Sequence, residues 1–340
     1  MYELIQAGER SYYVNVPVKI GLYRVSDDEV YLIDSGGDKD AGRKLRQILD
    51  KKGWTLKAIL NTHSNADHIG GNQYLQKQKG CKVYAPGMDC AFTRHPLLEP
   101  SYLYGGFPPK DLRHKFLMAQ ESDAEYLTRE VLPDGLRILP LPGHFLDMVG
   151  FEADDGVTYL ADCLSSRETL DKYGIGVIYD VSAYLDTLER VKGLQAKLFV
   201  PAHAQPTDDI APLAQYNIDM VKDTAGRILD FCREPISFEV LLQKLFESYD
   251  LSMDFSQYVL VGSTVRSYLA WLKDSEQVTV DFSTRLPLWQ RIQFAIQKRK
   301  VEKPTFLFSC YFESDGYPIV SAFLISMASR TFAAIPSALR

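Results

Sequence analysis

Thr62-His63-Ser64-Asn65-Ala66-Asp67-His68-Ile69-Gly70-Gly71 follows directly on the apolar stretch Leu56-Lys57-Ala58-Ile59-Leu60 and packs two imidazoles and a carboxylate into six positions. Neutral imidazole nitrogen and carboxylate oxygen are the donors that borderline divalent cations prefer, and donors on one turn converge without a long loop to order. A polar loop with two unrelated histidines is the plain alternative. The other histidines weigh against it. The chain has six, and two of the remaining four follow strand-like runs, in Pro142-Gly143-His144 and Pro201-Ala202-His203. Asp162 has a similar setting, ending the apolar run Val157-Thr158-Tyr159-Leu160-Ala161.

Taken together, these segments resemble the signature of the metallo-β-lactamase superfamily: His-x-His-x-Asp-His, then a later His, an Asp and a last His, each at the end of a strand. The resemblance covers roughly residues 10 to 205 and is nearest to the glyoxalase II-like branch. It implies a four-layer αββα sandwich. It also implies that His63, residue 65 and His144 hold a first metal, that Asp67, His68 and His203 hold a second, and that Asp162 bridges them. Asp34, in Leu32-Ile33-Asp34-Ser35-Gly36, would support the metal loop from behind. Zinc is the expected cofactor, as one or two ions, with manganese or iron as alternatives.

Residue 65 is Asn where the family usually has His, and an amide oxygen is a weakly basic ligand, so one tight and one weaker metal are expected. The implied activity is metal-dependent hydrolysis of an ester, thioester, phosphodiester or related small substrate, with Asp67 orienting the nucleophile as ligand and proton acceptor. Two other readings stay open. His63, His144 and Asp162 form the two-histidine, one-carboxylate set that holds non-haem iron, which suggests an oxygenase acting on a sulfur substrate. Alternatively, the chain is a non-catalytic binding or regulatory protein that acts through its C-terminal module; Asn65 would also suit a decayed enzyme whose remaining ligands only stabilise the fold. A β-lactamase proper is not expected, because those enzymes usually place Cys where this chain has Asp162. No Gly-x-Ser-x-Gly elbow, phosphate-binding loop or dinucleotide fingerprint competes.

Bulk properties are consistent with an enzyme of small molecules. A chain of 340 residues, 46% hydrophobic and 24% charged, suffices for one large domain and a smaller one. A net charge of −6 offers no long-range attraction to phosphate backbones, so nucleic acid is not an expected partner. The five cysteines are widely spaced with no Cys-x-x-Cys pair, which suits reduced thiols. Met1-Tyr2-Glu3-Leu4-Ile5-Gln6 lacks a secretory leader pattern, and a cytoplasmic location is expected. No run reaches the about 20 apolar residues that span a bilayer, so no membrane role is expected.

The organisation along the chain divides into three parts. Residues 1–207 alternate strand and helix signals and form the catalytic domain. Within them, residues 88–131 lose periodicity and suggest a lid-like insertion, whose Tyr102, Tyr104 and Phe107 are candidates for the substrate pocket wall. Arg94 and Arg113 there are candidates for an anionic substrate group, whereas His95 and His114 suit the surface. Residues 208–300 give a mostly helical module. Phe238, Leu241, Leu242, Leu245 and Phe246 mark one amphipathic helix, Val265, Tyr268, Leu269 and Leu272 another, and Val278, Val280 and Phe282 a strand, in an order that resembles a winged helix. The candidate recognition helix has only Arg266 and Lys273 as basic residues, so packing on the catalytic domain or on a second subunit, as a homodimer, is the expected role. Residues 301–340 are an apolar, serine-containing tail without a motif.

Overall fold

In a computed structural model, residues 2–292 are described; the tail expected at 301–340 lies outside them. The first sheet holds seven strands in the order β1 (Glu3–Gln6), β2 (Ser11–Asn15), β3 (Ile20–Arg24), β4 (Glu29–Ile33), β5 (Thr55–Leu60), β6 (Lys82–Ala85) and β7 (Ala124–Tyr126). Its first four strands are antiparallel neighbours, and β4 through β7 run parallel. The second sheet is ordered β11 (Leu198–His203), β10 (Val157–Ser165), β9 (Val149–Ala153) and β8 (Leu136–Pro140), with β10 and β11 parallel.

The parallel pairs need crossovers, and the sequence supplies helices with clear stops. Helix α1 (Lys39–Lys52) starts where the Asp38 carboxylate accepts from the Ala41 amide and ends at Gly53 in the left-handed region. The sequence pattern predicts one helix running from the metal motif to Gly80. The structure splits it into a single turn, α2 (Ala66–Ile69), and α3 (Asn72–Lys79), separated by the glycine pair and capped by Gly80. A Cβ on Gly70 would collide with the carbonyl carbon of Gly37, and one on Gly71 with the Ser35 carbonyl oxygen. The glycines therefore let α2 dock on the loop leaving β4 rather than on the sheet itself. The insertion is less irregular than its sequence suggests. It contains α4 (Asp89–Arg94), α5 (Leu98–Tyr104) and a 3-10 turn at Lys110–Leu112, and it ends in strand β7 of the first sheet.

Three apolar layers hold the sandwich. Leu45, Leu49 and Leu75 of α1 and α3 cover the outer face of the first sheet at Val30, Leu32, Ile59 and Val83. Tyr23, Ile33 and Leu60 meet Phe151, Tyr159 and Val200 between the sheets. On the far side, α6 (Arg167–Tyr173), α7 (Val181–Lys192) and the long α8 (Ala211–Phe231) lie along the second sheet, with Leu188 and Ile218 packed on Leu160 and Phe199. Burial of each such leucine or isoleucine contributes about 1.5–3 kcal/mol. The architecture is the expected αββα sandwich followed by a mostly helical region.

That last region contains α9 (Phe238–Ser248), α10 (Phe255–Asp274) and a small sheet ordered β12 (Ile236–Ser237), β14 (Leu288–Arg291), β13 (Val278–Asp281). It is continuous with the sandwich core, since Leu241, Leu245, Val265 and Leu269 join the same apolar cluster as Leu160 and Leu188. Helix α10 also packs on α5, on the 3-10 turn and on α7. Among the described residues no helix is long and apolar enough to cross a membrane.

Candidate metal centre

The functional side chains sit where parallel strands run out. Asp34 follows β4, His63 follows β5, Asp162 lies in β10 and His203 closes β11, while His144 is on the loop between β8 and β9. Two backbone irregularities aim the acids. Asp34 and Ala161 adopt positive φ angles of 66° and 49°, and the β10–β11 register shifts on either side of Ala161. Such strain persists only where surrounding structure holds it. Gly143, at φ +123°, packs so closely against the backbone of Tyr184 that any Cβ would overlap it.

Six side chains converge. Asp67, His68, Asp162 and His203 offer donor atoms within 4.8 Å of one another, and so do His63, His144 and Asp162. Oδ2 of Asp162 is 3.0 Å from Nε2 of His203, 3.7 Å from Nε2 of His144 and 3.9 Å from Nε2 of His63, and its Oδ1 is 3.0 Å from Nε2 of His68. Asp67 is 3.4 Å from Nε2 of His203.

The far side of each buried ring is committed elsewhere. Nδ1 of His68 donates to Oδ2 of Asp34 at 2.8 Å. Thr62 Oγ1 gives its one proton to the same oxygen at 2.8 Å, so at 2.9 Å it can only accept from Nδ1 of His63. Nδ1 of His144 donates to the Val177 carbonyl at 2.8 Å. All three rings thus turn Nε2 inward. The buried Nε2 atoms of His63 and His68 and Oδ1 of Asp162 make no hydrogen bond of acceptable geometry. Buried polar atoms without partners are rare, and a set of lone pairs aimed at one point is what a divalent cation requires. The residues present fit such an ion.

The electrostatics agree. Burial works against charge on His68, yet Asp162, Asp34 and Asp67 raise its pKa well above the ordinary value. His203, likewise opposed by burial, is pushed up to about 10 by Asp162 and Asp67. Burial would raise both carboxyls, but His68 and His203 outweigh it, holding Asp67 at about 2 and Asp162 well below the carboxylate range. His63 and His144 are lowered, chiefly by burial. Protons on His68 and His203 and a divalent cation therefore compete for one place.

Residue 65 is in the centre. Its Oδ1 lies 3.2 Å from Nε2 of His144, and its Nδ2 donates to Oε1 of Glu99 at 2.7 Å. Sequence reading missed Glu99, although an acid inside the run Pro96-Leu97-Leu98-Glu99-Pro100 was a signal. It is 4% exposed, and burial raises its pKa well above the usual range. Asp89 was also missed. It accepts from the amide and hydroxyl of Ser64 and from the Asp147 amide, tying the metal loop to the His144 loop, and burial pushes it to about 6.

A cavity of about 490 Å³ opens over the centre. The predicted wall residues lie elsewhere. Tyr102 and Tyr104 line a neighbouring groove, with Tyr102 bonded to Ser263 of α10, and Phe107 is 71% exposed beneath Arg113. Arg94 is spent on the Ala124 carbonyl, His95 is exposed, and His114 approaches Ser256. Aromatic and aliphatic residues that do line it include Phe116 and Leu117 of the insertion, Leu170 and Tyr173 of α6, and Leu260 and Val261 of α10. The C-terminal helical region thus contributes to the lining of this cavity.

A family model described as "Metallo-beta-lactamase superfamily" matches residues 14–203. The chain belongs to the metallo-beta-lactamase superfamily. The match ends on His203, the last residue of the centre. Among curated relatives of this superfamily member, it is 31% identical over 165 residues to a hydroxyacylglutathione hydrolase of Rhodopseudomonas palustris, covering 46% of this chain and 53% of that one. It is 29% identical over 161 residues to a probable metallo-hydrolase of Bacillus subtilis, covering 47% and 70%. A beta-lactamase-like protein 2 homolog of Drosophila melanogaster is 24% identical over 208 residues, 59% of this chain and 63% of the relative. The chain thus spans between 53% and 70% of the length of these relatives.

Two solved structures share the fold. A beta-lactamase domain protein from Burkholderia ambifaria has a TM-score of 0.65 at 15% identity, covering 85% of this chain and 94% of that one. A metallo-beta-lactamase family protein from Thermus thermophilus has a TM-score of 0.63 at 19% identity, covering 83% and 99%. Both matches extend further than residues 1–207 alone can supply, so part of the helical region is shared as well.

Proposed function

We propose that this chain is a metal-dependent hydrolase of a small, uncharged acyl substrate, an ester or thioester. The observation that carries the reading is the convergence of inward-facing imidazoles and carboxylates on Asp162 at the floor of a cavity with apolar walls. His63, His144 and Asp162 would hold one ion, and Asp67, His68, His203 and Asp162 the other, with zinc expected and manganese or iron as alternatives. A divalent ion there supplies Lewis acidity, which makes hydroxide available near neutral pH and polarises a carbonyl.

The chain's own groups do the rest. Asp67, held ionised by His68 and His203, orients the attacking water. Asp34 holds the His68 ring and, through Thr62, the His63 ring in the tautomers that face inward. Leu117, Leu170, Leu260 and Val261 exclude bulk water and fit an acyl chain. No lysine or arginine is among the described residues that line the cavity, so a phosphodiester would meet no cationic side chain beyond the imidazoles. That favours neutral acyl groups over phosphodiesters. The relatives named as hydrolases lend the reaction class further support.

The catalytic part is taken as residues 1–207 and the module as 208–300. Its helices and small sheet follow the winged-helix order, and α10 serves as a wall of the cavity rather than as a reader of nucleic acid. A homodimer through the module's outer face and a cytoplasmic location complete the reading, the latter in keeping with the buried free thiols of Cys81, Cys90, Cys163 and Cys232.

Hydrolysis of a series of neutral p-nitrophenyl esters and thioesters tests the proposal. Turnover should be abolished by His68→Ala and by His203→Ala. A single-iron oxygenase at His63, His144 and Asp162 would instead consume oxygen and tolerate His203→Ala, and that result would replace the hydrolase reading.

A further inference from the structure

We infer that Asn65 is an oxygen ligand of the first metal position and that Glu99 is the positioning residue that turns its amide oxygen inward. This rests on the metal-centre reading above.

Asn65 occupies the N-cap position of α2, where asparagine ordinarily bonds a backbone amide of the first turn. Here its side chain makes no capping hydrogen bond. The amide is directed elsewhere at both ends. Nδ2 donates to Oε1 of the buried Glu99 at 2.7 Å, which leaves Oδ1 facing the centre, 3.2 Å from Nε2 of His144. His144 carries its ring proton on Nδ1, which donates to the Val177 carbonyl, so Nε2 presents a lone pair.

Two acceptors at 3.2 Å with no proton between them are poorly matched as a pair. They are well placed as neighbours on one ion. Donors about 2.1 Å from a tetrahedral ion stand about 3.4 Å apart. The unpartnered Nε2 of His63 and Oδ2 of Asp162 complete a set of two nitrogens and two oxygens. A neutral amide is a weak ligand, and an acceptor oxygen held on its nitrogen fixes which end of the amide faces the centre and polarises it toward its oxygen, as outer partners do for metal-bound groups. The chain has therefore exchanged an imidazole for an amide backed by a buried acid from the insertion.

Stepwise Co2+ titration of the metal-free full chain, followed by visible absorption and calorimetry, tests this without reference to activity. Two binding events are expected. Glu99→Ala should weaken one event about tenfold or more and leave the other unchanged, whereas Glu99→Gln, which keeps both the volume and an acceptor oxygen for the Asn65 amide, should restore most of that loss. Asn65→Ala should weaken that same event, and Glu99→Ala added to Asn65→Ala should cost nothing further. Equal effects on both events, no effect, or additive losses would overturn the inference, as would a single event in the unaltered chain. Absence of any binding would remove the metal-centre reading itself, an outcome distinct from the others.

Discussion

The carboxylate of Asp34 lies 2.8 Å from Nδ1 of His68, and the same oxygen takes the Thr62 hydroxyl proton, so one buried acid on a left-handed backbone fixes two rings of the centre. It also accepts the Thr62 amide through Oδ1 at 2.8 Å. Replacing it with alanine strands several buried donors at once.

Asp34→Ala should therefore lower metal affinity about 10–100-fold. It should also destabilise the metal-free protein, at about 1–3 kcal/mol for each donor left unpaired. Competition against a chromogenic chelator and urea denaturation measure the two effects. Unchanged affinity would mean that the ring orientations do not depend on Asp34.

Gly70→Ala tests how the metal loop is seated. The added methyl would fall against backbone atoms of Gly37 and Asp38, which cannot swing aside as a side-chain tip can. A cost of about 1–3 kcal/mol is expected in the denaturant midpoint, with weakened metal binding because α2 carries Asp67 and His68. A shift within experimental error would show that α2 is not pinned there.

The charges of the centre give a pH window. His203, raised from 6.5 to about 10, contributes stability to the metal-free protein that is full below 6.5 and lost as pH rises through about 10. Asp67, lowered from 3.8 to about 2, contributes stability present above 3.8 and lost as pH falls through about 2. The contribution of these two groups to the urea resistance of the metal-free chain should therefore be largest between about pH 4 and 6.5, and His203→Ala should remove its alkaline limb. The chain's apparent metal affinity should climb with pH above that range, as bound ion displaces the His203 proton. Affinity that falls with pH would contradict the assignment.

Helix α10 supplies part of the cavity through Leu260 and Val261. Leu260→Trp should cut kcat/KM about tenfold for long acyl esters while sparing acetyl esters and metal content. Equal loss for both chain lengths would take α10 out of the substrate pocket.

The cluster was legible because each candidate ligand sits in a short segment tied to a strand end, where local pattern and position in the fold coincide. Glu99 was not, since its role depends on contact with Asn65 across a weakly periodic stretch. Tyr102, Tyr104 and Phe107 lie outside the lining of the cavity over the centre: aromatic character gives no direction, and α10 and the solvent draw them aside. Ile218, Val221, Ala225 and Ile228 carry the helical spacing of α8, which sequence reading passed over between the last ligand and the C-terminal module.

Metal content of the full chain, measured by mass spectrometry after chelation and reloading, tests the central claim most directly. At least one divalent ion per chain should be retained through gel filtration, and ester hydrolysis should vanish on metal removal and return on reloading. A chain that retains no ion from a saturating solution, or that hydrolyses equally well after chelation, would contradict it.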